Sequence, residues 1–235
     1  MKKITIIIVA LMMLFSSKNF AQTDGAAVAL AGSIVALGVG IAAIEDMKER
    51  VELRGTEWLL ENHPEIKSFS LKTIDFDGKK MKDMSNVSVI TFKLQEFTPG
   101  ENIKLDGRKQ VLFAFTSYGW LNDQGIDFSR VQWYKIDEAE WLKMMIAYSK
   151  GSSMEKNEEV LRDKLKNGAI VNKGIRVKGK IDIPFYKLDG DMYVVGDYSP
   201  EMKFIYNERS LGIFLKKTGN LVQIRRNSIM EIISF

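Results

Sequence analysis

Two apolar runs in close succession, both within the first 44 residues, constrain this chain more than any other feature. Met1–Lys3 opens the chain with two lysines, Ile4–Phe15 is mostly apolar, and Ala21 follows where a signal peptidase could cut. That layout is typical of a secretory signal peptide. Residues 1–22 are therefore predicted to be an export signal, and the protein is expected in the periplasm or cell envelope of a bacterium.

The second run, Gly25–Ile44, has 20 consecutive residues without a charge, about the length that crosses a bilayer. Gly32, Ala36 and Gly40 recur every four residues in it, so they share one face of a helix. Stripes of small residues allow helix backbones to approach closely in lipid. The run is predicted to contact a membrane or a second copy; a helix docked on its own domain and a disordered leader are the alternatives.

The chain has no cysteine and a single histidine, His63, which directly precedes Pro64. Disulfides, thiolate metal sites, cysteine nucleophiles and a lipid-modified N-terminal cysteine are thereby excluded. One histidine also argues against a transition-metal site and against a Ser-His-Asp triad. We therefore expect no bound metal and no cofactor.

The formal net charge of +4 comes largely from the predicted signal peptide. Residues 1–22 contain three lysines and no acid, so the remainder has 31 basic and 30 acidic residues. Because affinity for nucleic acid depends mainly on neutralising phosphates, a nearly neutral chain is not expected to bind it.

Apolar periodicity predicts a helix that continues past Ile44 and then gives way to strands. Ile44, Met47 and Val51 keep helical spacing. The helix should end before Pro64, because a proline excludes the preceding residue from the α region. From Lys67 onward apolar and polar residues alternate, which is typical of half-buried strands.

Two shorter helices are predicted to interrupt the strands. The first begins with a cap at Asp137 and ends near Gly151, and the second is capped by Ser153 and ends at Asn167-Gly168. Strands grouped apart from helices favour the α+β class. We expect a long N-terminal helix followed by antiparallel β-meanders with two interposed helices.

The same pattern suggests how the chain is divided. Residues 23–64 are predicted to form an apolar and then amphipathic helix. Residues 65–150 would hold the first meander and a helix, and residues 151–235 a helix and the second meander. These last two segments are either separate domains or one domain.

Turn residues mark several strand ends. Asp-Gly pairs favour two-residue hairpin loops, because both residues there adopt positive φ. Asp-Gly pairs are found at Asp77-Gly78, Asp106-Gly107 and Asp189-Gly190, and Thr218–Asn220 is a fourth predicted turn. By contrast, Ile175–Ile183 alternates without a break and is predicted to be a single strand.

One candidate ligand site combines aromatic and polar residues in a loop. Tyr118, Trp120, Asp123 and Asp127 lie in a Gly/Asn/Asp-rich segment that follows a strand. A flat aromatic face beside carboxylates suits a sugar ring or a peptide, and Trp120 is expected to be exposed. The alternative is that these aromatic residues belong to the core.

A second candidate is a basic surface. Arg176, Lys178 and Lys180 alternate with apolar residues and would share one face of the predicted strand 175–183. Such a face could meet an anionic lipid or polysaccharide. The alternative is an ordinary charged outer face, which keeps a sheet soluble.

Together these patterns favour an exported, non-enzymatic envelope protein that is membrane-associated or oligomerises through its N-terminal helix. Its α+β part would bind another envelope component, and its expected partners are a membrane, an envelope protein or a second copy. The alternative is a secreted or periplasmic carbohydrate- or peptide-binding domain, or a carboxylate-dependent hydrolase.

Overall fold

The computed structural model describes residues 41–74, 88–122, 124–171, 173–186, 194–207 and 210–235. Within these ranges the chain forms four α-helices and four sheets, and every strand pair is antiparallel. This confirms the predicted α+β class with a long N-terminal helix. The helices are α1 (Ile41–Asn62), α2 (Glu138–Ser152), α3 (Glu158–Asn167) and α4 (Arg226–Ile233).

The strands are grouped by sheet in chain order. The first sheet has the order β1–β2–β3–β6 and contains β1 (Phe69–Thr73), β2 (Ser88–Glu96), β3 (Lys109–Thr116) and β6 (Val131–Asp137). A two-stranded ribbon pairs β4 (Leu121–Asn122) with β5 (Gly125–Ile126). The third sheet contains β7 (Gly168–Val171), β8 (Gly174–Val177) and β9 (Lys180–Pro184). The fourth contains β10 (Val195–Asp197), β11 (Met202–Asn207), β12 (Ser210–Leu215) and β13 (Asn220–Arg225).

The first sheet is the middle layer of the molecule. All residues of β3 after Lys109 are buried, so both faces of this strand are covered. Because side chains alternate across a strand, Leu112 and Ala114 join one apolar cluster, and Phe113 and Phe115 join another. The first cluster includes α1, and the second includes α2 and the fourth sheet. That second cluster holds residues from both 65–150 and 151–235; the division between these segments stays a prediction.

Helix α1 forms and ends as the sequence predicts. Met47, Val51 and Leu59 are buried on one side of it. The helix ends at Asn62, two residues before Pro64. None of the helices in the described part of the chain is long and apolar enough to cross a membrane. Three residues of the predicted small-residue stripe, Gly32, Ala36 and Gly40, lie outside the described residues, as do residues 1–22.

Gly55 explains how α1 approaches the sheet. A Cβ at this position would lie 3.2 Å from the Trp133 ring and 3.3 Å from the Leu71 side chain, both of which belong to the first sheet. The glycine therefore allows a closer approach than any larger residue would, although glycine inside a helix costs about 1 kcal/mol relative to alanine.

The two interposed helices are present, and one cap differs from the prediction. The Asp137 side chain accepts a hydrogen bond from the Glu140 N–H at 2.8 Å, as expected for the cap of α2. Helix α3 is capped by Asn157 and not by Ser153. Ser153 instead donates its hydroxyl to the Ser149 carbonyl at the end of α2, at 2.8 Å, so its side chain is already engaged.

Helix α4 is missing from the sequence prediction. Its apolar positions are mostly isoleucines, which as β-branched residues have only moderate helix propensity. Its N-terminal flanking residue, Arg225, makes no capping hydrogen bond with its side chain. The segment therefore has neither a strongly helix-forming composition nor a capping residue that would mark the start of a helix.

The turn predictions have mixed outcomes. The segment Thr218–Asn220 forms the expected turn, with Leu215 opposite Asn220 and Gly219 at φ +71°. Asp106-Gly107 is not a two-residue hairpin loop, because β2 and β3 are joined by all of residues 97–108. Gly107 instead packs against β2, where a Cβ would lie 2.5 Å from the Glu96 carbonyl oxygen. The pairs at 77–78 and 189–190 lie outside the described residues.

Candidate functional site

The loop after β3 does not present a tryptophan to solvent. Trp120 is fully buried, at 0% exposure, and belongs to the cluster that also contains α1. A tight turn places it there: the Trp120 N–H donates to the Ser117 carbonyl at 3.1 Å, and Gly119 adopts φ +82°. The expectation that Trp120 is exposed is therefore wrong, because the chain reverses within three residues and returns the indole beneath the sheet.

The described carboxylate of this loop supports the turn. Asp127 accepts a hydrogen bond from the Ser129 N–H at 3.1 Å and pairs with Arg130 Nε at 3.0 Å. The hydrogen bond from the Ser129 hydroxyl, together with the Ser129 amide and Arg130, lowers the pKa of Asp127. Its oxygens are thus engaged locally, as at the caps of helices.

Tyr118 is an exposed aromatic residue in the loop after β3. Its side chain is 78% exposed, and its carbonyl accepts a hydrogen bond from Arg130 Nη1 at 3.1 Å. Asp123 lies outside the described residues. The other three predicted residues are Tyr118, Trp120 and Asp127. The structure does not place two exposed aromatic side chains beside a free carboxylate among them.

The basic segment is a hairpin and not the single strand that the alternation predicts. Strands β8 and β9 are joined by Lys178-Gly179, with φ values of +49° and +80°. Positive φ at both central residues is the type I′ geometry that suits the twist of hairpins. A two-residue turn leaves the period-two pattern unbroken, and Lys-Gly lacks the Asn or Asp that usually marks such a turn. The prediction of one strand is therefore wrong.

The hairpin brings the three predicted basic residues to one end but not onto one face. Arg176 is opposite Ile181 and Lys180 is opposite Val177, so Arg176 and Lys180 lie on opposite faces. The prediction of one shared basic face is therefore wrong. Arg176 Nη1 donates to the Gly179 carbonyl at 3.1 Å, and Lys178 lies in the turn itself. All three basic side chains are exposed and form no ion pair with any acid in the described ranges. We call this group, with its neighbour Ile181, the basic hairpin tip.

The described residues also enclose a cleft that no local sequence signal marks. It has a volume of about 370 Å³ and lies between the start of β3, the first half of α2, and the C-terminal ends of α3 and α4. This size falls within the usual range for small-ligand pockets. Its lining is mainly apolar: Val111, Trp141, Leu142, Met145, Leu165, Ile232, Ile233 and Phe235. These residues come from four separate elements, so only the fold brings them together.

Some of the polar groups that line this cleft have partners. Asp137 caps α2, and Lys109 donates to the Phe235 carbonyl and lies 5.2 Å from the centre of its ring. The buried indole N–H of Trp141, by contrast, has no acceptor among the described residues. The cleft is thus suited to holding an apolar group, and it presents no paired nucleophile and base.

A tyrosine–carboxylate contact fixes α2 to the fourth sheet. The Tyr198 hydroxyl donates to the Glu140 carboxylate, and the Tyr198 ring stacks on Phe204 with centroids 4.3 Å apart. Burial, with the hydrogen bond to Glu140, raises the pKa of Tyr198 well above its usual value, so the phenol stays protonated at neutral pH. These contacts indicate that Tyr198 has a structural role.

No cluster of three or more His, Asp or Glu side chains in the described ranges is arranged to hold a metal ion. His63, at the end of α1, lies 3.1 Å from a Glu65 carboxylate oxygen through Nδ1 and packs edge-on against Trp58. Comparison with protein-family models, with curated proteins and with solved structures gives no match to this chain. The function must therefore be inferred from the residues themselves.

Proposed function

We propose that this chain is an exported, non-enzymatic protein of the cell envelope. In this proposal the uncharged run, residues 25–44, attaches the protein to a membrane or to a second copy. The α+β body then holds another envelope component. The charge pattern of residues 1–22 supports export.

The observation that carries the proposal is the continuity between the uncharged run and the body. Helix α1 is described from Ile41, which lies inside the run, and extends over 22 residues. It is fixed to the first sheet by Met47, Val51 and Leu59, which are at most 3% exposed. The last four residues of the run, Ile41–Ile44, therefore belong to the same helix that packs on the body.

The body contributes a binding surface in the cleft between β3, α2, α3 and α4. Apolar side chains dominate its lining, which favours an apolar group of a partner or ligand. The engaged state of Asp137 and Lys109 argues for binding and against acid–base chemistry at this place.

Fractionation of the exported protein tests the attachment. We expect mature N-termini near residue 22, and we expect the chain to stay in the membrane pellet through high-salt and carbonate washes. A fully soluble, monomeric mature protein would contradict the proposal. This measurement needs no knowledge of the partner.

A pair of matched variants tests whether the small-residue face packs against another helix. Gly32→Leu, Ala36→Leu and Gly40→Leu together should abolish chemically crosslinked oligomers, because three bulky side chains separate the helix backbones. Ala27→Leu, Ala31→Leu and Gly38→Leu place the same number of leucines on the opposite face of the same helix. Equal loss in both variants would show that the packing is not specific to the face.

Photo-crosslinking tests the cleft. A photoreactive amino acid at Leu142, which lines the cleft, should capture an envelope component in intact cells. The control position is Leu221, on β13, which is 46% exposed and does not line the cleft. Identical products from both positions would mean that the cleft is not the binding surface.

The exposure of Tyr118 favours one second candidate, a carbohydrate- or peptide-binding role for the loop after β3. An exposed tyrosine offers a flat apolar face at small entropic cost. Tyr118→Ala should then weaken binding to an immobilised glycan or peptide array. Unchanged array binding would remove this candidate.

A further inference from the structure

We propose that the basic hairpin tip, formed by Arg176, Lys178, Lys180 and Ile181, contacts the headgroups of anionic lipids. The inference rests on the proposed function, because it places the body beside the membrane to which the uncharged run attaches. It adds a second, electrostatic contact that sets how the body lies on that membrane.

The geometry of the tip concentrates positive charge in a small area. The turn Lys178-Gly179 reverses the chain within two residues, so the two strands beside it are hydrogen-bonded neighbours. Arg176 reaches across to the Gly179 carbonyl, at 3.1 Å, and Lys180 follows directly on the other strand. Three cations therefore lie at one end of one hairpin.

These cations are not neutralised by the described part of the protein. The nearest acid in sequence, Asp182, is 2.7 Å from Lys164 of α3 and is therefore already paired. Lys178 also occupies a left-handed backbone position, φ +49°, where glycine, asparagine or aspartate is favoured. A lysine at that position gives up some local stability.

The apolar neighbour distinguishes a lipid surface from a soluble polyanion. Ile181 is 48% exposed and lies opposite Arg176 in the hairpin. An exposed isoleucine opposite Arg176 and next to Lys180 in the chain can enter the boundary between headgroups and acyl chains, whereas a polysaccharide chain in water has no use for it. The combination therefore favours an anionic bilayer.

The tip is held by a rigid base. Ile175 of β8 and Ile183 of β9 belong to the large apolar cluster and are 0% and 7% exposed. The basic residues therefore project from a fixed platform, and their position is tied to the orientation of the whole body.

The expected affinity of the basic hairpin tip for an anionic surface indicates what the tip does. Each basic residue at an anionic surface raises affinity about fivefold, so three raise it about 100-fold. Such a contact is too weak to anchor a protein by itself. It is sufficient to orient a body that the uncharged run already holds at the surface.

The experiment uses the absence of cysteine in the chain, which allows one label at a chosen position. An environment-sensitive fluorophore on Ile181→Cys is followed in the purified full chain mixed with vesicles. The vesicles are either phosphatidylcholine alone or phosphatidylcholine with 30% phosphatidylglycerol, a composition of about one anionic lipid in three chosen to resemble charged leaflets. We expect a blue shift only with the anionic vesicles, and its loss in high salt. The same label on Tyr118→Cys should not shift.

Matched charge variants identify the residues responsible. Arg176→Gln, Lys178→Asn and Lys180→Gln together should abolish the shift, whereas Lys67→Gln, Lys104→Gln and Lys173→Asn remove the same charge elsewhere and should preserve it. Lys178→Asn and Lys173→Asn form a sharper pair. Both lysines have positive φ, at +49° and +71°, so both changes should raise thermal stability. Only Lys178→Asn should weaken the lipid contact, by about fivefold.

Vesicle flotation separates this inference from the proposed function. If the chain floats with neutral vesicles but the label on Ile181→Cys never shifts, the attachment stands and the hairpin proposal is wrong. If the chain floats with neither vesicle and the label does not shift, the membrane attachment and the hairpin contact both fail. An equal shift with neutral vesicles, or with dextran sulfate in the absence of lipid, would also overturn the lipid assignment.

Discussion

The loop after β3 and the β8–β9 hairpin are both predicted to present side chains to a ligand, and the fold treats them in opposite ways. The loop holds an aromatic that was expected at the surface, and the fold buries it completely. The hairpin holds three charges that were expected at the surface, and all three are exposed. The difference follows from desolvation: burying an indole is favourable, whereas burying an unpaired cation is very costly. The exposure of charged residues is therefore easier to predict than that of aromatics.

The strongest test of this comparison is Trp120→Ala. Removing a fully buried indole should lower the free energy of unfolding by about 3–5 kcal/mol, through lost apolar contacts and the cavity left behind. Urea denaturation followed by circular dichroism measures it. Tyr118→Ala, two residues away and mostly exposed, is the control and should change stability by less than about 0.5 kcal/mol. Similar losses in both variants would contradict the assignment of Trp120 to the core.

The turn glycines provide the next largest effect. Gly119→Ala and Gly179→Ala each place a Cβ on a backbone with φ near +80°, which should cost about 1–2 kcal/mol. Space does not limit either change, since a Cβ would meet nothing closer than 3.7 Å at Gly119 and nothing within 4 Å at Gly179. Gly151→Ala, in α2, also meets nothing within 4 Å and has no positive φ, so it should be neutral or stabilising. Chemical denaturation of the three variants shows whether backbone conformation alone sets the cost.

A smaller gain is expected from the hairpin lysines. Lys178→Asn should stabilise the protein by about 0.5 kcal/mol, because asparagine tolerates a left-handed backbone better than lysine. The melting temperature by calorimetry measures this change. A lower melting temperature would mean that the Lys178 side chain makes a stabilising contact of its own.

The smallest effect concerns Asp127 and depends on pH. Its pKa is lowered in the folded state by Ser129 and Arg130, so its contribution is present above the unfolded pKa, about 3.9, and is lost as pH falls through the folded value. Asp127→Asn should therefore lower the melting temperature slightly between pH 5 and pH 7, and this difference should shrink below about pH 4. A difference that stays constant with pH would show that the effect does not come from the ionised Asp127 carboxylate.

Local signals predicted the parts of the fold that depend on neighbouring residues. The end of α1 before Pro64 and the cap at Asp137 each involve residues within four positions of one another, so the chain itself carries the information. The hairpin turn at Lys178-Gly179 escaped prediction because Lys178 is atypical for positive φ and the turn leaves the alternation intact. Helix α4 escaped because isoleucine-rich segments are ambiguous between strand and helix.

The candidate sites were less predictable than the fold. The basic residues were found from their spacing alone, although they meet at a hairpin tip and not along a strand. Trp120 is buried in a cluster that includes residues of α1 more than 60 positions earlier in the chain. The cleft is assembled from β3, α2, α3 and α4, and no pattern within one segment could reveal it.

The missing side chain at Gly55 has a mechanical consequence. Ile41 lies 14 residues before Gly55 on the same helix, a distance of about 21 Å at 1.5 Å per residue. If a larger residue tilted α1 by about 10° at that contact, the far end would move by about 4 Å. The close approach that Gly55 allows thus bears on where the start of α1, at Ile41, lies relative to the sheet.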